Sequence, residues 1–162
     1  MTLACATRTE ERAARKLGAR TALIGIGARR ALPDGPVVSF GLAGGLHDGL
    51  ECGEVVDATR VVDDPAERRR LHERTGADAI DMESGVLART GRLAGCLRAI
   101  SDTPERTLGP LVDVMDASGK LRPGGIVRAL AAPRRTCRAL ADVRRALEAL
   151  QHCVARPNGA RA

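Results

Sequence analysis

The sequence predicts an α/β fold. Short runs of β-branched and apolar residues, each of strand length, alternate with segments whose apolar residues recur every three or four positions, as helices require. Several of the short runs end directly in glycines or carboxylates, the pattern of strands that deliver polar groups to a sheet edge. A third observation concerns the core: Phe40 is the one aromatic among 162 residues, so the interior must be built from Leu, Val, Ile and Ala. The length suits one domain, placed at residues 1–154, with 155–162 as a frayed tail.

Taken in order, Thr9 is expected to cap a helix from Glu10 to Leu17, with Glu10 and Glu11 in the first turn and Gly18 as the stop. Thr21 to Ile26 reads as a strand that runs into Gly25-Ile26-Gly27, a turn with room for a phosphate or sugar against the backbone. Asp34-Gly35-Pro36 is a turn feeding a buried strand, Val37 to Gly41. Gly41-Leu42-Ala43-Gly44-Gly45-Leu46 then sets small residues at that strand's end, where a flat ligand can meet bare backbone. Glu54 to Val62 alternates as a strand. Pro65 opens a short charged helix, Ala66 to Thr75, closed by Gly76, and its Arg68-Arg69-Arg70 run reads as a solvated face.

The central unit is the strand Ala77 to Asp81, the amphipathic segment Glu83 to Leu93, and the strand Cys96 to Asp102. Met82, Glu83, Ser101 and Asp102 should therefore share one crevice at the sheet edge. The turn-rich stretch Thr103 to Pro110 is placed over it. Val112 to Ala117 and Gly125 to Leu130 read as short helices. Pro133 to Val154 reads as an amphipathic helix with Leu140, Val143, Leu147 and Leu150 on its apolar side.

Composition narrows the function. Net charge is +6 with a pI near 9.7, but the arginines are spread along helices and aromatics for base stacking are lacking, so nucleic-acid binding is not expected. Five cysteines without a Cys-x-x-Cys pair, and no charged-then-apolar leader, suggest free thiols in a reducing cytoplasm. The three histidines, His47, His72 and His152, lack zinc-ligand spacing, so neither a metal nor a cofactor is expected. No apolar run reaches the roughly 20 residues of a membrane span.

Three carboxylates, Glu10, Glu83 and Asp102, are placed at element ends beside the glycine-lined strand end. A general acid, a group that orients a nucleophile and an acceptor for two vicinal hydroxyls are what cleavage of a ribosyl bond needs. Met82, soft and unbranched, suits the face of a planar base.

Four ordered motifs carry a resemblance: Phe40-Gly41-Leu42-Ala43-Gly44-Gly45-Leu46, Gly53-Glu54-Val55-Val56, Asp81-Met82-Glu83-Ser84 and Ile100-Ser101-Asp102. Together they resemble the nucleoside phosphorylase and methylthioadenosine/S-adenosylhomocysteine nucleosidase superfamily. Ser101 to Leu108 and the helical tail resemble its hopanoid-associated branch, whose implied reaction removes adenine from adenosylhopane. The resemblance implies a central mixed sheet flanked by helices. It also implies that Asp102 protonates the departing purine, Glu83 holds the ribose hydroxyls and Met82 packs on sugar and base. Glu10, with Glu11 second, would orient the attacking water, while Ala43, Gly44 and Ser101 lie beside the ligand. The implied partner is a nucleoside, possibly lipid-linked, with peripheral contact to the inner membrane and a homodimer as further expectations.

Two departures stand out. The family's helix between Gly27 and Val37 shrinks to a few residues here, and its strands and base-covering loop between Asp57 and Ala66 are missing. Part of the sheet and one pocket wall should therefore be absent. The phosphate ligands of phosphorylases are not evident, Arg29 or Arg30 being the substitutes on offer, so hydrolysis is expected over phosphorolysis. The rival expectations are an inactive nucleoside-binding remnant and a purine nucleoside phosphorylase.

Overall fold

The computed structural model describes residues 1–47, 64–116 and 120–151 with their side chains, and the backbone of 55–57 and 152–154. The strands are β1 (Thr2–Cys5), β2 (Arg20–Leu23), β3 (Val37–Gly45), β4 (Val55–Asp57), β5 (Ala79–Asp81) and β6 (Leu93–Asp102). The α-helices are α1 (Arg8–Lys16), α2 (Pro65–Thr75), α3 (Ser84–Arg89), α4 (Pro123–Ala131) and α5 (Pro133–Val154), with 3-10 turns at Ile26–Ala28 and Gly109–Asp113. The result is α/β, with a mostly parallel six-stranded sheet flanked by helices.

β3 is the strand on which the sheet is built. It runs parallel to β1 from Thr2↔Val37 to Cys5↔Phe40, and parallel to β6 from Val37↔Leu93 to Gly44↔Asp102. β5 joins it antiparallel through Gly44↔Ile80 and Gly45↔Ala79, and β4 lies parallel to β5. A strand has two edges, and β6 follows one of them for nearly the whole length of β3. β1 and β5 must therefore share the other edge end to end. Between them, on that edge, no strand among the described residues neighbours the backbone of Gly41 to Ala43.

Side-chain alternation divides the core into two faces. Leu3, Cys5, Val38, Phe40 and Ala99 pack with Ala13 and Ala14 of α1 and with Ala146 and Leu150 of α5. Ala4, Ile24, Val37 and Leu87 form a cluster apart from it. Leu46, Ala77 and Ile80 make a third under α2, with Leu71 against it. Burial among apolar groups, with Glu10 and Glu11 nearby, pushes the Cys5 thiol up to about 12.

Several expectations are corrected. The first helix begins earlier, capped by Thr7 rather than Thr9, because Thr7 and Glu10 form a reciprocal capping box, whereas Arg12 stands three residues after Thr9. β2 stops at Leu23, since its partner β1 ends opposite at Cys5. The glycine-rich stretch expected beyond the strand that starts at Val37 is itself strand to Gly45, held by β6. In place of a helix at Val112–Ala117, a 3-10 turn spans Gly109–Asp113, and 117–119 lie outside the described residues. Helix α5 keeps its expected bounds, but its buried line is Ala139, Asp142, Ala146 and Leu150, with Leu140 exposed. Asp142 is buried because it pairs with Arg106, which pins the 103–110 segment to α5. Of the strand expected over 54–62, Val55–Asp57 is observed, while residue 54 and 58–62 lie outside the described residues, as does the tail 155–162. Among the described residues no helix is long and apolar enough to cross a membrane.

Candidate active site

The interrupted edge of β3 holds the densest polar cluster. Arg98 sits on β6 opposite Gly41, and its buried guanidinium crosses β3 there. Gly41 makes that crossing possible: a Cβ on it would stand 2.6 Å from Glu10 Cδ and 2.7 Å from Arg98 Nη1. Nη2 of Arg98 lies 2.6 Å from Asp81 Oδ2, 3.2 Å from Glu83 Oε2 and 2.6 Å from Ser39 Oγ. Nη1 donates to the Leu42 carbonyl at 3.2 Å and lies 4.0 Å from Glu10 Oε1. Glu10 Oε1 accepts the Leu42 N–H at 2.8 Å. Both backbone groups of Leu42, which a neighbouring strand would ordinarily satisfy, are thus met by side chains.

Local sequence explains how the acids arrive. Glu10 is the third residue of α1, so one carboxylate oxygen accepts the Thr7 N–H at 2.8 Å while the other reaches β3. Asp81 ends β5 and Glu83 begins α3. The Asp81 carboxylate is held by the Ser84 hydroxyl at 2.6 Å, and that hydroxyl oxygen lies 3.0 Å from Ser39 Oγ. Glu83 Oε1 accepts the Gly27 N–H at 2.8 Å, tying the Gly-x-Gly turn to the cluster.

Three carboxylates thus surround one guanidinium, all of them buried. Burial raises the Glu83 carboxyl above its ordinary value, Arg98 and the Gly27 N–H oppose this, and Glu10 and Asp81 add to the rise. For Arg98, burial works against the charge, but Asp81, Glu83 and Glu10 outweigh it and push the guanidinium further up. The cluster sets three carboxyl groups against one guanidinium, and its buried Arg98 Nε has no hydrogen-bond partner among the described residues.

A second polar centre lies four residues along β6, roughly 13 Å at ordinary strand rise. Asp102 Oδ2 pairs with Arg68 Nη2, and Asp102 Oδ1 accepts from Ser101 Oγ. Arg68 Nη1 also donates to the Gly45 carbonyl at 3.2 Å. The expectation of a solvated Arg68 is therefore wrong. Arg68 is 1% exposed, because it shares a helix face with Leu71 and His72, and that face packs on the sheet. Ala43 and Gly44 lie between the centres on β3, and a Cβ at Gly44 would stand 3.5 Å from both Arg68 and Asp102.

Of the expected site residues, Glu10 and Glu83 meet at Arg98, and Ser101 joins Asp102 at the second centre. Met82 is half-buried between Asp81 and Glu83. Glu11 turns away, with its Oε1 2.8 Å from Arg15 Nη2 and 3.3 Å from Thr21 Oγ1. Arg29 and Arg30 are exposed. Sequence reasoning missed Arg98, Arg68, Asp81, Ser39 and Ser84. For Arg98 the signal was present: a lone charge inside an apolar strand, at even spacing from Asp102 and so nominally on the same face.

Comparison with protein-family models, with curated proteins and with solved structures gave no match to this chain. The functional reading therefore rests on the site itself.

Proposed function

We propose that the chain is a nucleosidase that cleaves the N-ribosyl bond of an adenine nucleoside, with adenosylhopane as the expected substrate. The observation that carries the reading is the gathering of Glu10, Asp81 and Glu83 around Arg98 at a break in the sheet. Surplus buried negative charge of that kind favours a ribosyl centre that turns cationic as its bond breaks. In the proposed reaction water attacks the anomeric carbon and gives a proton to Glu10. The carbon–nitrogen bond breaks, and Asp102 protonates the purine that leaves with the bonding pair. Glu83 accepts hydrogen bonds from the ribose hydroxyls, and Met82 lies against sugar and base.

Asp102 has to carry a proton for this role, and both its oxygens accept from neighbouring side chains, Arg68 and Ser101. The Ser101 hydroxyl has a second acceptor, the Ala43 carbonyl at 3.3 Å. Turning to that carbonyl would release Asp102 Oδ1 for the purine.

One observation favours a second reading, a nucleoside binder without turnover: the buried Arg68 already occupies Asp102 Oδ2. Adenine release from adenosylhopane, methylthioadenosine and adenosine, each with and without phosphate, decides between them. The expected result is phosphate-independent release that falls at least about a hundredfold in Asp102→Asn, the scale of a lost general acid. Binding without release by the folded wild-type protein would establish the binder, and a requirement for phosphate would establish a phosphorylase.

A further inference from the structure

The fold brings His47, His72 and Asp78 together, although their sequence spacing gives no sign of it. His47 follows β3, His72 lies in the last turn of α2, and Asp78 directly precedes β5. One donor atom from each lies within 4.8 Å of the others. His47 Nε2 is 2.9 Å from Asp78 Oδ1, and the two imidazole centroids are 4.5 Å apart.

We infer that these three side chains form a binding site for a divalent transition-metal ion of the zinc class. Two imidazoles and a carboxylate are a zinc-type ligand set, whereas magnesium and calcium favour oxygen donors throughout. Tetrahedral bonds of about 2.0–2.2 Å place ligand atoms roughly 3.3–3.5 Å apart. The His47–Asp78 pair is already inside that spacing, and a donor atom of His72 lies within 4.8 Å of both.

The surroundings of His72 supply an independent reason. Its Nδ1 lies 2.8 Å from the Ala77 carbonyl. A carbonyl only accepts, so Nδ1 carries the proton and Nε2 is left with its lone pair. A backbone carbonyl fixing the tautomer of a ligating histidine is the usual outer support of such sites. His47 and Asp78 side chains are 37% and 38% exposed, enough for water to reach a fourth position.

The site sits on the same helix face as Arg68, one turn away, and α2 carries both. A metal there fastens α2 to the ends of β3 and β5, and so steadies the arginine that holds Asp102. The inference stands on geometry and does not depend on the nucleosidase reading.

The test is a titration of the chelator-treated full chain with Co²⁺, followed by visible absorption, and then displacement by Zn²⁺. Uptake of about one Co²⁺ per chain is expected, with the intense absorption of a four-coordinate ion and its loss on adding Zn²⁺. His47→Gln, His72→Gln and Asp78→Asn should each weaken uptake by more than about tenfold, at least as much as loss of an outer support does. Far-UV circular dichroism checks folding; if His72→Gln fails to fold, the His47 and Asp78 substitutions, which lie outside the helices and strands, carry the result. No uptake by folded wild type overturns the site, as does uptake indifferent to these substitutions or a thiolate charge-transfer band pointing to cysteine ligands.

Discussion

Two buried arginines, Arg98 on strand β6 and Arg68 on helix α2, do opposite things. Among the described residues Arg68 meets one carboxylate, Asp102, and a carbonyl, one cation to one anion. Arg98 meets three carboxylates and leaves the balance negative. A buried pair that cancels its own charge is a fastening, and it adds little net stability over an apolar substitute. A buried cluster that does not cancel is stable only while every member is held, and its surplus charge is available to a ligand. The two centres divide the labour between holding the fold and presenting chemistry.

The largest effect expected is at Arg98. Arg98→Met leaves three carboxylates without their cation and should cost at least the roughly 3–5 kcal/mol of a broken buried pair, read as a lower denaturation midpoint. A loss below about 1 kcal/mol would remove the contrast between the centres. Next comes Arg68→Met, expected to cost about 3 kcal/mol by stranding Asp102, with Asp102→Leu in the same chain recovering much of it. A double-mutant cycle of the two measures the pairing, and additive losses would show that it fastens nothing.

Gly41→Ala should cost about 1–3 kcal/mol, because the added methyl group displaces Glu10 and Arg98. Gly44→Ala meets Arg68 and Asp102 at an ordinary 3.5 Å and should cost less, so equal losses would count against the crowding at Arg98.

The smallest effect is a pH slope. The folded protein holds the Glu83 proton more tightly than the unfolded chain, so it binds more protons once pH passes the ordinary value of 4.5. Stability from this group is complete below that value and falls as pH rises toward the raised one. Glu83→Gln should flatten that part of the stability–pH curve, measured by denaturation across the acid range. An unchanged slope would mean that the surplus charge is relieved elsewhere in the cluster.

Much of the fold was legible. Apolar runs marked β2, β3, β5 and β6, and Pro65 and Gly76 bracket α2 as their backbone preferences require. The break in the sheet was not legible, because Gly41 to Gly45 reads as a loop until β6 is known to run beside it. Glu10 and Glu83 were visible as acids at element ends, but not their common partner. Arg98 stands out as a lone charge in an apolar strand, whereas Arg68 is hidden by two neighbouring arginines that point to water. Strand pairing and helix rotation decide such residues, and both depend on contacts distant in sequence.

The attachment of β5 has a further consequence. Its ladder to β3 is two residue pairs long, supplemented by the Leu46 N–H to the Asp78 carbonyl at 2.8 Å, by the Asp81–Arg98 pair and by the reach of Arg68. β1 and β6 grip β3 over four and eight pairs. The segment from α2 through β5 is therefore poised to detach as a cooperative unit below the global unfolding threshold, with its amides exchanging hydrogen faster than those of β1 and β3. Each such opening lifts Arg68 away and uncovers Asp102, so a residue that is closed in the fold becomes reachable at the frequency with which that segment opens.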